Sequence, residues 1–157
     1  MKKVSIGKLA LSLMIPLLIG AIAGYFTTQA IPTWYTTLNQ PSFNPPNSVF
    51  GPVWTTLYLL MGISLYLVWQ LPKGKKRDRG LMIFGVQMVL NFVWSFLFFY
   101  FHTIGFALID IIALWICIAM MIISFYKMKP IAAYLNIPYI LWVSFATVLN
   151  ASYFNLN

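Results

Sequence analysis

Trp54 and Tyr58 stand four residues apart in one apolar stretch of the chain. Asn91, Ser95 and Phe98 follow at intervals of four and three in the next, and Trp142, Ala146 and Leu149 at the same intervals in the last. Helical periodicity puts each set on one face. Gln87 extends the second set by a turn, and Asn150 lies beside the third. Faces made of aromatic, amide and small residues can line one inner cavity. Rings offer stacking surface, and amide and indole N–H groups offer hydrogen bonds. Ala146, between two larger residues, either leaves room for a ligand or lets two helices touch. The competing reading is that Asn91, Ser95, Gln87 and Asn150 only join helices, through hydrogen bonds worth about 1 kcal/mol each in a membrane bundle. The pattern by itself leaves both open.

Other reactive groups are few. Asp110 is the one acid inside an apolar stretch, where it is either a proton, cation or ligand anchor or a carboxyl held neutral or hydrogen-bonded by its neighbours. The lone His102 and the lone Cys117 are far apart in the chain, so no metal set is expected. Cys117 has no partner for a disulfide and reads as a buried, inert thiol. There is no nucleophile–base pair, no phosphate loop and no pair of carboxylates, so nothing resembles a hydrolase.

The elements that must position these residues are membrane helices. Hydrophobic residues make up 61% of the 157 and charged residues only 8%, where a soluble domain carries about 25%. The apolar surplus requires lipid as its solvent. About 20 apolar residues span a bilayer core, and five stretches qualify: 9–26, 49–71, 80–101, 104–126 and 132–154. The expected fold is an all-α integral membrane protein, a single domain over 1–157 built as a bundle of five transmembrane helices. The first stretch also has the look of a signal peptide, with a small-residue site at Ala21-Ile22-Ala23. Its length and the Gly20/Gly24 packing motif favour a retained helix.

The net charge of +8 invites a nucleic-acid reading, but its placement argues otherwise. Lys2, Lys3 and Lys8 precede the first span. Lys73, Lys75, Lys76, Arg77 and Arg79 lie between the second and third, and Lys127 and Lys129 between the fourth and fifth. The alternate connections carry no Lys or Arg. This is the positive-inside pattern of a cell-membrane protein with its N-terminus inside and its C-terminus outside. The lipid bilayer is the expected partner, with no nucleic acid. The cluster from Lys73 to Arg79 can also touch anionic headgroups.

The connection 27–48 is the one long loop, rich in Thr, Asn, Gln and Pro and free of formal charge. Long loops in compact proteins are usually functional or disordered, and Trp34, Tyr35 and Phe43 argue for order. It reads as a lid over one end of the bundle, or as an interfacial aromatic belt.

The run Pro41-Ser42-Phe43-Asn44-Pro45-Pro46, followed by Phe50-Gly51-Pro52-Val53-Trp54-Thr55-Thr56-Leu57-Tyr58, resembles the translocator protein family. This is the group of TspO, the tryptophan-rich sensory proteins and the peripheral-type benzodiazepine receptors. Leu90-Asn91-Phe92-Val93-Trp94, Ala107-Leu108-Ile109-Asp110 and Pro138-Tyr139-Ile140-Leu141-Trp142 agree with it, in the same order. The resemblance implies a five-helix bundle, often a homodimer, with a cavity under the loop between the first two helices. It implies binding of protoporphyrin IX or a related tetrapyrrole and of isoquinoline carboxamide or benzodiazepine-type ligands, with no cofactor required. Light- and oxygen-dependent porphyrin breakdown is implied for some bacterial members, with Trp54 and Trp142 at the catalytic positions. The ligand-lining positions carry over to Trp54, Tyr58, Asn91, Ser95, Phe98, Phe106, Asp110, Trp142, Ala146 and Leu149. A transporter of porphyrin or another small hydrophobic molecule is the alternative.

The chain departs from its animal relatives in having Phe43, Ser48 and Phe106 where they have Trp, so Phe106 keeps a ring but loses an N–H donor. No base follows Tyr153, so the cholesterol-contact pattern is absent. The lid side also offers no Lys or Arg to a porphyrin carboxylate. Indole, amide or backbone N–H groups or water must serve there, and affinity should be modest.

Overall fold

The computed structural model describes residues 5–157; Lys2 and Lys3 lie outside them. The described residues form helices α1 (Ile6–Ala30), α2 (Asn47–Trp69), α3 (Lys75–Ser95), α4 (Ile104–Tyr126), α5 (Pro130–Tyr134) and α6 (Ile137–Leu156). A π-helical turn, Phe96–Tyr100, continues α3, and a single 3-10 turn, Tyr35–Thr37, sits in the loop after α1. The described residues are all-helical, with five helical segments among them long and apolar enough to cross a membrane.

The expected boundaries shift for local reasons. The first helix reaches Ala30, beyond the expected 26, because the Thr27 and Thr28 hydroxyls bond to the carbonyls of Ala23 and Tyr25 within the helix. Pro32 ends it, having no N–H to continue the helical ladder after Ile31, and the lid shortens to 31–46. The third helix begins at Lys75, not 80, so the basic cluster is wound into its first turns. Arg77 closes the preceding turn, donating to the Leu71 carbonyl at 3.2 Å and to Asp78 at 2.8 Å. The expected single helix 132–154 is two, broken at Leu135 and Asn136 before Pro138 in the first turn of α6. The Asn136 amide secures the break, donating to Ser64 Oγ at 2.7 Å and to the Ala132 carbonyl at 2.8 Å.

The core is one apolar seam. Met61, Ile111, Leu114, Ile118, Met121, Phe125 and Val143 are almost wholly enclosed. Met82, Val89, Ile109, Ile116 and Leu141 face outward, as a bundle surrounded by hydrocarbon requires. A second cluster, Tyr35, Phe98, Ala107, Leu149 and Tyr153, lies beneath the loop.

Two glycines bring α1 against α2. A side chain at Gly62 would meet the Ser12 carbonyl at 2.8 Å, and one at Gly20 would run into the ring of Tyr58. Gly24 and Gly51 are different: apart from the chain neighbours and the helix's own backbone, no atom lies within 4 Å of where a Cβ would stand.

Candidate ligand-binding cavity

The lid is held at two points. Trp34 stacks on His102, centroids 4.1 Å apart and planes 15° from parallel. His102 adopts a left-handed backbone at φ 57° in the turn before α4, a conformation His tolerates better than most residues. Farther along, the Asn39 amide N–H donates to Asn157 Oδ1 at 2.9 Å and its side chain to the Leu156 carbonyl at 3.1 Å, while Asn157 returns a bond to the Asn39 carbonyl at 3.2 Å. Tyr35 plugs the space between, buried against Phe98, Phe99 and Tyr153. Burial pushes its phenol above the ordinary value, so it stays protonated and donates to Asn44 Oδ1 at 2.9 Å.

Beneath the lid the interior is divided. A chamber of only about 30 Å³ is walled by Trp142, Ala146, Leu149, Phe98 and Tyr153. Beside it, a cleft of about 810 Å³ runs between α1 and α2 with α3 as its floor, and Tyr58, Ser95 and Gly24 contribute to its walls. Four aromatic side chains, Phe50, Trp54, Trp94 and Phe99, line both spaces and form the partition. The chamber has space for water-sized molecules only. The cleft is within the range of about 300–1,000 Å³ usual for small-molecule sites.

The sequence-derived residues sort accordingly. Trp54 faces both spaces; Tyr58 and Ser95 line the cleft; Phe98, Trp142, Ala146 and Leu149 line the chamber. The Nε1 of Trp142 is enclosed without a hydrogen-bond partner among the described residues. Asn91 lies one layer behind. Tyr58 donates to its Oδ1 at 2.6 Å, its amide donates to the Tyr139 hydroxyl at 3.0 Å, and Tyr139 donates to Gln87 Oε1 at 2.9 Å. Asn91 and Gln87 therefore join α2, α3 and α6, which is the helix-joining role. Asn150 has the same role, accepting from Trp94 Nε1 at 3.0 Å and donating to the Ile104 carbonyl at 3.1 Å.

Two residues of the set lie elsewhere. Phe106 is 67% exposed on the outer face of α4, away from both spaces, because the inward stripe of that helix runs through Ala107, Asp110, Ile111 and Leu114. Asp110 is buried in that stripe, with Oδ2 unpartnered among the described residues, but lines neither space. Phe50, Trp94 and Phe99 belong to the partition although the pattern reading passed over them. Phe50 stands four before Trp54, and Trp94 four before Phe98, so the same periodicity points to them. Phe99 reaches the partition through the π-helical turn, whose wider winding no periodic template anticipates.

The sequence that builds this bundle matches the profile of the TspO/MBR family over residues 12–156. The chain belongs to the TspO/MBR family. It is 42% identical over 151 residues to the tryptophan-rich protein TspO of Archaeoglobus fulgidus, covering 96% of this chain and 97% of the relative. It is 40% identical over 119 residues to the human translocator protein, covering 74% and 70%. It is 33% identical over 124 residues to the tryptophan-rich sensory protein of Cereibacter sphaeroides, covering 79% and 77%. Family membership and the apolar helices make it an integral membrane protein, and these TspO, translocator and sensory relatives support a general role as a membrane receptor.

Proposed function

We propose that this TspO/MBR protein is a receptor for flat hydrophobic ligands, tetrapyrroles such as protoporphyrin IX above all, bound beneath the 31–46 lid. The observation that carries the reading is the 810 Å³ cleft with Trp54 and Tyr58 in its wall. These two rings stack on each other at 5.6 Å and 28°. A planar ligand lying against them exchanges water for aromatic surface on one face. Isoquinoline carboxamide and benzodiazepine-type ligands suit the same walls. The positive-inside pattern supports an N-terminus inside and a C-terminus outside, with the lid on the outer face, and two copies paired through lipid-facing helix surfaces.

Photo-oxidative breakdown of a bound porphyrin is the further part of this reading. Light excites the macrocycle, Trp54 beside the ligand relays the electron that the excited ring gives up, and dioxygen accepts it, so the porphyrin is oxidised and dioxygen is reduced to superoxide. Trp142 lies behind it, with Phe50 edge-on to Trp142 at 6.1 Å. The test is a tryptophan-quenching titration with protoporphyrin IX in the dark, repeated under light and air with the Trp54→Phe/Trp142→Phe variant alongside. Saturable quenching supports the receptor. A light-dependent product lost in the double variant supports turnover, and a product that survives it removes the relay.

A further inference from the structure

The end of the bundle away from the lid is strongly basic. Lys73, Lys75, Lys76 and Arg79, around the start of α3, and Lys127 and Lys129, in the turn after α4, are all exposed. The chain holds only two acids. Asp110 is buried within α4, and Asp78 is held by Arg77 at 2.8 Å, the one ion pair among the described residues. Arg77 is itself committed, since it also donates to the Leu71 carbonyl. The other six cations are left without a carboxylate.

Packing brings the two basic segments together. A side chain at Gly80 would meet Met128 Cε at 2.7 Å and Ser124 Oγ at 3.2 Å, so the first turns of α3 run hard against the end of α4. Arg79 precedes Gly80, and Lys127 precedes Met128. Lys76 stands one turn before Gly80, on the face that continues to Phe84, whose ring stacks on Phe125 of α4 at 6.4 Å. Like charges gathered in this way repel one another. Helix stability does not account for them: cations in the first turn of α3 oppose its dipole, and the roughly half a negative charge at the end of α4 offsets one lysine only in part. The positive-inside pattern needs bases on this side of the membrane, but not at one point.

The same two helices carry exposed apolar stripes that lead to these cations. On α3, Val89, Val86 and Met82 lead to Arg79; on α4, Ile116, Met120 and Ile123 lead to Lys127. Exposed Tyr126 and Tyr134, edge to face at 5.9 Å, mark the headgroup level beside Lys127. From these features we infer that the Gly80–Met128 contact builds a docking site for an anionic phospholipid. Lys76, Arg79 and Lys127 surround its phosphate, and its acyl chains lie along the stripes of α3 and α4. The stripes favour a lipid over a free phosphate. None of these residues lines the cleft or the chamber, so the site is independent of what the cleft binds.

The experiment adds phosphatidylglycerol or phosphatidylcholine, each spin-labelled on an acyl chain, to the full-length protein in phosphatidylcholine vesicles. The motionally restricted fraction gives their relative association. Phosphatidylglycerol is expected to be favoured about fivefold, as a few interfacial bases acting on an anionic headgroup allow. In Arg79→Gln/Lys127→Gln the preference is expected to fall to about twofold or less, and Arg79→Lys/Lys127→Arg is expected to keep it. Lys8→Gln/Lys73→Gln removes the same charge from the same end and is expected to keep most of it. Melting temperatures confirm that each variant is folded. Three results overturn the inference. The first is no preference in the wild type. The second is equal loss in the two Gln pairs, which would make net charge the cause. The third is loss of the preference on adding inorganic phosphate but not sodium chloride at the same ionic strength, which would assign the cations to a free anion.

Discussion

The ring of Tyr58 occupies the space that a side chain at Gly20 would need. That contact sets how close α1 comes to α2 at the base of the cleft, and it turns the Tyr58 hydroxyl toward Asn91, 2.6 Å away. Gly20→Ala is expected to push the ring aside and cost about 1–3 kcal/mol, the usual price of overpacking. Gly24→Ala, four residues on with nothing to meet, is expected to be neutral or to stabilise by up to about 1 kcal/mol. Thermal unfolding in detergent separates the two.

The Asn91 network should behave as structure. Asn91→Leu leaves the Tyr58 hydroxyl without its acceptor, while Tyr139 keeps its bond to Gln87, at an expected cost of about 1–3 kcal/mol. Tyr139→Phe removes both the acceptor of the Asn91 amide and the donor to Gln87 Oε1, and is expected to cost at least as much. Both melting temperatures are the readout, with the double variant showing non-additivity because the groups share partners.

The lid should respond to pH from the alkaline side. Tyr35 is raised by burial above its ordinary value of 10.0, so folding favours its neutral form. The contribution is complete below pH 10 and declines above it, as the unfolded chain gives up its proton first. Limited proteolysis of residues 31–46 is expected to speed up above pH 10 in the wild type. In Tyr35→Phe the step should vanish, with a loss of about 1 kcal/mol at neutral pH from the missing Asn44 bond.

Asp110 lies outside both spaces, so Asp110→Asn is expected to leave porphyrin affinity within about twofold, the scatter of a substitution away from the ligand. Ion-coupled flux in sealed vesicles is the separate readout. A flux lost in this variant would assign the carboxyl to transport.

Much of this was legible because the bilayer imposes simple rules. Span length and the placement of basic residues, Lys73 to Arg79 above all, reveal the five-span topology. A period of 3.6 places Trp54 with Tyr58, and Trp142 with Ala146 and Leu149. The failures are equally physical. Phe106 and Asp110 are four apart and nominally on one face, yet the buried stripe of α4 passes through Ala107, and one position around the helix is enough to turn Phe106 to lipid. The π-helical turn at Phe96–Tyr100 breaks the periodicity that any stripe argument assumes. The cleft itself is made by what α1 lacks: glycine, alanine and threonine leave a void whose walls carry no pattern of their own. Whether Asn91 faced a ligand or another helix depended on Tyr58 and Tyr139, distant in sequence and met only in the fold.

The central claim is that a tetrapyrrole binds against Trp54, inside the bundle and not on its lipid face. The most direct measurement is the dissociation constant of protoporphyrin IX, in the dark, for Trp54→Ala and Phe106→Ala beside the wild type, with melting temperatures confirming that each variant is folded. The account expects Trp54→Ala to weaken binding by about tenfold or more, in line with the ~1–3 kcal/mol that an aromatic stacking partner supplies to a flat base, and Phe106→Ala to match the wild type. Unchanged binding in Trp54→Ala, with loss in Phe106→Ala, would contradict it and move the ligand to the outer surface of α4.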